Sequence, residues 1–279
     1  GLVPGASKGE GLGNKFLGHI REVDSIVQII RCFEDKDVVN VLGELDPKKD
    51  AEIITTELLM ADLEQAERIK EKLEGATRTG MDEAKKKYAL IEKIHKKLEE
   101  GVPVRQQGLD SDQIKEFNFL TAKPVLYVAN VGESSSHLYE DVKKWAQSVN
   151  APVLALNTKL EAEIMALPSQ EQISYQEAMG IQESGLEKLA RAGQELLDII
   201  TFFTVGPKEA HAWHVTKGSP VQKAAGKIHS DMERGFIRAE IYACEDLFQA
   251  KSEVNLRAQG KIRMEGKDYI TSDGDVVRI

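Results

Sequence analysis

KPVLYVANVGE, residues 123–133, opens on Lys-Pro, continues through the apolar run Val125 to Ala129, and ends on Asn130, Val131, Gly132 and Glu133. An apolar run of this length with β-branched members reads as a strand. The residues after it stand where the strand ends, and open α/β sheets bind ligands outside the carboxyl ends of their strands. Downstream, Leu138, Val142 and Trp145 fall at helical spacing. VLAL (153–156) is a second short strand, and Asn157-Thr158-Lys159 leads into a helix from about Glu161. Strand, helix, strand, helix in this rhythm is an α/β protein with a largely parallel sheet.

Upstream, SIVQIIR (25–31) is a β-branched run that reads as a buried strand. A short helix is expected before it, with Phe16, Leu17 and Ile20 on one face, and Gly1 to Asn14 is a glycine-rich loop. Asp46-Pro47 breaks the chain. Ile53, Ile54, Leu58, Leu59, Leu63, Ala66, Ile69 and Leu73 then recur at steps that specify a helix. Gly75 to Gly80 supplies a turn. Ala84, Tyr88, Ile91, Ile94 and Leu98 mark a second helix that ends at Gly101-Val102-Pro103. Two charged helices joined by a short turn should pack antiparallel as an arm. Acidic residues interleave throughout it, so Lys85 to Lys87 reads as a solvated face, with His95 exposed on the same arm. From about Leu196 the pattern becomes short strands at Trp213-His214-Val215, Phe236 to Ile241 and Asp268-Tyr269-Ile270, with a helix over Val221 to His229. That is a compact α+β module.

The totals restrict function. With 279 residues, 41% hydrophobic and 30% charged, and a mean hydropathy of −0.35, the chain reads as a soluble, helix-rich protein. No apolar run reaches the roughly 18–20 residues of a membrane span, and the opening residues do not resemble a signal peptide. The cytoplasm is the expected compartment, with no membrane partner. Cys32 and Cys244 alone cannot build a disulfide framework or a cysteine-rich zinc site. The net charge of −9 argues against wholesale nucleic-acid binding, and no DNA contact is expected. Residues 199–279 carry 12 Lys and Arg against 11 Asp and Glu, a balance of +1, which leaves −10 on residues 1–198. That asymmetry permits an RNA-facing C-terminal module.

The histidines form no H-x-x-x-H or H-E-x-x-H pair, so no metal ligands are expected among these residues. His211 and His214 flank Trp213, where packing on the ring is the simpler reading. There is no G-x-S-x-G elbow and no G-x-x-x-x-G-K-[ST] phosphate loop. At the end of the YVA strand, Asn130 and Glu133 are placed to read a base edge by hydrogen bonds. A helix N-cap by Asn130 or Ser134 is the competing reading.

Five stretches in order resemble the YchF/Obg-like ATPase family: residues 1–35, 46–67, 123–133, 202–240 and 266–276. AAGKIHSDMERGFIRAE (224–240) is the most specific of them. The resemblance implies a Ras-like P-loop NTPase sheet, present here in part, with an inserted antiparallel helical arm and a C-terminal ubiquitin-like (β-grasp) TGS domain. It divides the chain into residues 1–46 and 121–195 for the nucleotide-binding domain, 47–120 for the arm and 196–279 for the TGS domain. It further implies ATP hydrolysis in preference to GTP, Mg²⁺ with the ATP, and the ribosome or its RNA as partner. Asn130 and Glu133 would read the base with the Val131 backbone against adenine, and Asn157 and Thr158 fall at a further base-side motif. Gly1 matches the glycine of the D-x-x-G switch.

Two departures bear on activity. The family's phosphate loop, its Mg²⁺ ligands and the Asp of D-x-x-G would precede Gly1, so residues 1–279 alone are expected to be inactive, with no catalytic residue assigned. Asn40 stands where the family commonly has a histidine, and Asn cannot accept a proton near neutral pH. The chain is also expected to stop short of its last strand. The alternative to an ATPase is a non-hydrolysing ribosome- or RNA-binding adaptor acting through arm and TGS domain, and a third reading has the arm hold a homo-oligomer.

Overall fold

The computed structural model describes residues 12–39, 43–77, 82–132, 136–206 and 209–279. Gly1, most of the glycine loop, Asn40, Glu133 and Ser134 lie outside the described residues. The chain divides into two compact units, Gly1–Ala192 and Gly193–Ile279.

In the first unit, helix α1 (Leu12–Glu22) leads into β1 (Ile26–Cys32). The long α2 (Pro47–Thr77) and α3 (Asp82–Glu99) follow, with the one-turn α4 (Ser111–Ile114). Next come β2 (Val125–Val131), α5 (Ser136–Ser148), β3 (Val153–Leu156), α6 (Thr158–Met165), α7 (Ser169–Ala178) and α8 (Gly185–Leu196), the last of which crosses the unit boundary. The described strands form one parallel sheet in the order β1-β2-β3. β2 is central, and Val125 to Ala129 are all buried, which is why its sequence is continuously apolar.

β1 differs from its expectation. Ile30 and Cys32 face the core, whereas Val27 and Ile29 on the other face are 47% and 66% exposed. β-branched residues suit a half-buried strand as well as a buried one, so the run alone could not tell the two apart. The core above the sheet joins Ile30, Cys32, Tyr127 and Ala129 to Ala51 of α2 and to Val142, Trp145 and Ala146 of α5. The Trp145 ring lies 4.8 Å from that of Tyr127.

Asp46-Pro47 is a helix start. The Asp46 carboxylate accepts from the Lys49 amide at 3.0 Å, and Pro47 occupies the first helical position, where a missing N–H costs nothing. α2 also runs on through Gly75 to Thr77, into the span expected to turn. Its first half serves the sheet: Leu58 and Ala61 pack with Leu17 and Leu120, with Ile20 against them. Phe16, expected on the same face of α1, is 42% exposed. The second half of α2 pairs with α3 through Ala66, Ile91, Ile94 and Leu98, and Val104, Ile114, Phe117 and Phe119 of the returning chain close that core. The helical hairpin therefore carries a core of its own. Lys87 bridges to Glu83 at 3.4 Å and Glu116 at 3.0 Å. The His95 side chain is only 16% exposed and sits 3.6 Å from Glu99, so it is more enclosed than expected.

The second unit contains β4 (Ile199–Val205), β5 (Ala210–Thr216), α9 (Val221–Ile228), α10 (Ser230–Arg234), β6 (Arg238–Ala243), α11 (Cys244–Ala250), α12 (Glu253–Ala258), β7 (Arg263–Gly266) and β8 (Asp275–Arg278). Its mixed sheet has the order β5-β4-β8-β6-β7, with only β4 and β8 parallel. Phe202, Val215, Ala239, Ile241 and Val277 meet Val221, Ala224 and Ala225 of α9 on one face. Tyr242, Ala250, Leu256 and Val276 form the core of the other. Three expectations are corrected here. Residues 268–270 are a turn with a single bridge from Ile270 to Pro220, because Val221 N–H takes the Tyr269 carbonyl. Phe236 is buried ahead of β6, which begins at Arg238. Residues 275–278 form a strand where none was expected: β8 lies between β4 and β6, and its four residues are too few to show a period. His211 does stack on Trp213, with ring centroids 4.2 Å apart.

Burial separates the two cysteines. Cys32 is fully buried and its thiol is pushed up to about 11 by desolvation, while Cys244 is partly exposed. Titration of the native protein with a thiol reagent at neutral pH should modify Cys244 promptly and Cys32 only on unfolding. The raised Cys32 value means its contribution to stability is complete below its ordinary 9.0 and is lost as pH rises towards about 11. Two equally fast thiols would refute this packing.

Candidate functional site

Parallel register brings the three strand ends to one level: Arg31 lies beside Asn130, and Asn130 beside Leu156. The residues that follow each strand therefore converge. Phe33, Glu34 and Asp35 after β1, Val131 and Gly132 at the end of β2, and Asn157 to Leu160 with Glu163 after β3 line a cleft of ≈ 320 Å³. That volume is at the lower end of small-molecule sites.

Asn130 is held in one orientation. Its Oδ1 accepts from the Thr158 amide at 3.2 Å and from the Thr158 hydroxyl at 2.9 Å. A backbone N–H can only donate, so the atom facing it must be the carboxamide oxygen, and the two Nδ2 hydrogens remain as donors. Among the described residues, Asn130 ties the end of β2 to the start of α6. The cap of α6 is Asn157, whose side-chain oxygen accepts from the Leu160 amide at 3.1 Å. That bond engages the Asn157 oxygen in helix capping and leaves its amide group over.

Glu34, Asp35 and Glu163 against Lys159 give the described lining an excess of negative charge. Such a wall favours the hydrogen-bond donors of a ligand and opposes placement of phosphate against it. Among the described residues, no group of three or more His, Cys, Asp or Glu could hold a metal ion.

Of the residues singled out from sequence, Asn130, Val131, Asn157 and Thr158 lie together in this cleft. Gly1 and Glu133 fall outside the described residues. Phe33, Glu34, Asp35, Lys159 and Glu163 were not among the expected site residues. Two acidic residues directly after a strand, at 34 and 35, were the available signal, because the ends of parallel strands are where ligands bind.

The fold and cleft define an α/β protein with a ligand site at the carboxyl edge of a parallel sheet, a helical hairpin between its first two strands, and a separate mixed-sheet unit. Residues 199–279 match the family YchF-GTPase_C, described as a protein of unknown function (DUF933). The chain is 47% identical over 283 residues to the Ribosome-binding ATPase YchF of Haemophilus ducreyi, covering 99% of this chain and 78% of that protein. It is 41% identical to the Bacillus subtilis protein of the same name, with the same two coverages. A solved structure, that of the Schizosaccharomyces pombe YchF GTPase, superposes with a TM-score of 0.83 at 33% identity, over 100% of this chain and 76% of that one. The chain belongs to the YchF family. Among the described residues no helix is long and apolar enough to cross a membrane.

Proposed function

We propose that this chain is the base-binding part of a YchF-type ATPase, taking ATP in preference to GTP with the adenine in the cleft at the ends of β2 and β3. The observation that carries the reading is the Thr158–Asn130 lock, which holds one carboxamide with its donors free at the edge of a parallel sheet. Phe33 adds an apolar surface for a ring, and Asn130, Val131 and Thr158 are the residues we assign to the base side. Glu133, Asn157 and Gly1 remain assigned to the nucleotide by resemblance. A carboxylate-rimmed cleft suits the exocyclic amino group of adenine; guanine presents a carbonyl oxygen at that position.

The relatives' name supports ribosome binding and ATP hydrolysis for the whole protein, with Mg²⁺ accompanying the phosphates. Counted within the second unit, its strand order is 2-1-5-3-4 with a helix after the first hairpin. This supports reading it as a β-grasp, TGS-type domain, and the first unit as part of a Ras-like sheet with an inserted arm. Residues 1–279 contain no G-x-x-x-x-G-K-[ST] loop. A second reading is a ribosome-binding adaptor that does not hydrolyse ATP.

Titration calorimetry of residues 1–279 with ATP and GTP is the test. ATP should bind more tightly than GTP, and turnover should be negligible. Equal affinity for the two nucleotides would sink the base-reading assignment. Turnover well above that of a Glu133→Ala control would contradict the expected inactivity. Ribosome co-sedimentation that is indifferent to ATP and to Asn130→Ala would favour the adaptor.

A further inference from the structure

On the β1 side, the cleft is lined by Phe33, Glu34 and Asp35, the first residues of an irregular segment, 33–38, with no strand or helix to hold it. Its backbone is gathered by one side chain. Arg31 donates from Nε to the Phe33 carbonyl at 3.1 Å, from Nη2 to the Asp35 carbonyl at 3.1 Å and from Nη1 to the Val38 carbonyl at 2.9 Å. Each guanidinium nitrogen thus engages one carbonyl, and the guanidinium carbon lies 4.9 Å from the centroid of the Phe33 ring. The Asp35 carboxylate adds a bond within the segment, accepting from the Asp37 amide at 2.8 Å.

We propose that Arg31 is the positioning residue of this cleft, folding residues 33–38 into the wall that carries Phe33, Glu34 and Asp35. The proposal deepens the nucleotide-binding reading and rests on it for its ligand. Arg31 belongs to β1 and is the register partner of Asn130, so wall and carboxamide are fixed at the same level of adjoining strands. Three carbonyls from separate residues of the segment, each taken by a different nitrogen, suit a planar fork of donors. A lysine ammonium at this place is a single point charge without that geometry. Asp50 also feels the Arg31 charge, which lowers its carboxyl against the larger raising effects of burial and of Asp46. Arg31 therefore influences the first turn of α2 as well as the wall.

The experiment compares the wild type, Arg31→Ala and Arg31→Lys as residues 1–279, with two readouts. The first is the backbone ¹³C carbonyl shifts of Phe33, Asp35 and Val38, with ¹⁵N relaxation over 33–38. The second is adenosine affinity by NMR titration. Arg31→Ala should move all three carbonyl shifts, lower the order of the segment and weaken adenosine about tenfold. Thermal unfolding should change little, since the segment is exposed. Arg31→Lys should not restore the wall, and added guanidinium ion should partly restore Arg31→Ala. Unchanged carbonyl shifts and order in Arg31→Ala would overturn the proposal, as would adenosine affinity within twofold of wild type. If adenosine leaves Asn130 and Thr158 unperturbed in the wild type, the nucleotide reading fails. The relaxation readout then decides the Arg31 proposal by itself, a loosened segment supporting it and an unchanged one overturning it.

Discussion

Replacing Asp62 by alanine is expected to cost about 4 kcal/mol of folding stability, lowering the transition of the first unit by about 10 °C. Asp62 lies in the middle of α2 and is fully buried, an unusual place for a carboxylate. It is there because the returning chain brings three donors to it. Oδ1 accepts from the Leu120 amide at 2.8 Å, and Oδ2 from the Thr121 amide and hydroxyl, both at 2.7 Å. Alanine would leave two backbone N–H groups and a buried hydroxyl without this acceptor, each costing about 1–3 kcal/mol. The loss extends further, because Thr121 Oγ1 also accepts from the Val104 amide at 3.0 Å and the Thr121 carbonyl takes Arg105 at 3.3 Å. Burial lowers the Arg105 value, opposed by the Tyr127 hydroxyl and the Asp62 charge. Tyr127 is on β2, so this network joins the helical hairpin to the strand that carries Asn130.

Asp62→Asn tests the same network more finely, because a carboxamide has one accepting oxygen and its amino group would meet amides that also donate. About half the alanine penalty is expected. Burial raises the Asp62 carboxyl, against its hydrogen bonds to Thr121 and Leu120 and the charge of Arg21. The folded state therefore holds the Asp62 proton more tightly than the unfolded state. This contribution to stability is lost as pH rises through the raised value and is complete below 3.8. The deficit of Asp62→Asn against wild type should accordingly grow as pH falls through the raised value towards 3.8. Urea unfolding of the wild type and both variants at two pH values checks this. A deficit under 1 kcal/mol for Asp62→Ala would show that the carboxylate does not hold the returning chain.

The central strand and the helical hairpin were legible because their signals are local. VLYVA is apolar at every position since both faces of β2 are covered, and the spacing from Ile53 to Leu98 follows from one stripe per helix. The half-exposed face of β1 was not legible, because exposure depends on what packs over Val27 and Ile29. β8 was missed for its shortness: four residues acquire meaning only from lying between β4 and β6. At the cleft, Asn130, Val131, Asn157 and Thr158 could be named from a strand followed by polar residues and from the family resemblance. The wall at 33–35 had only the two acidic residues after β1 as its signal, since its shape depends on Arg31 gathering the backbone, and a lone arginine in a strand carries no signature. The Asp62 anchor was hidden for a similar reason. Its partners are 58 and 59 residues away in sequence, and a carboxylate in a charged helix reads as surface.

Asn130→Ala is expected to weaken ATP binding about 100-fold, or about 2.7 kcal/mol, with little change in unfolding temperature. The estimate follows from two separate losses. The Nδ2 donors disappear, which leaves the acceptor edge of the base unpaired in a site shaped around them. The tie to Thr158 also disappears, freeing the β3–α6 junction that lines the same cleft. Two variants divide these contributions. Thr158→Val keeps the backbone N–H donor to Asn130 and removes the hydroxyl, so roughly a threefold to tenfold loss is expected. Asn130→Asp keeps an oxygen to accept both Thr158 bonds but has no donor for the base, so its affinity should fall nearly as far as that of alanine. Calorimetric titration of the three variants with ATP gives the order. If Asn130→Asp binds like the wild type, the lock alone is what the cleft needs, and the base is not read by the Asn130 amide. If Asn130→Ala also binds like the wild type, the nucleotide is elsewhere and the assignment of this cleft falls.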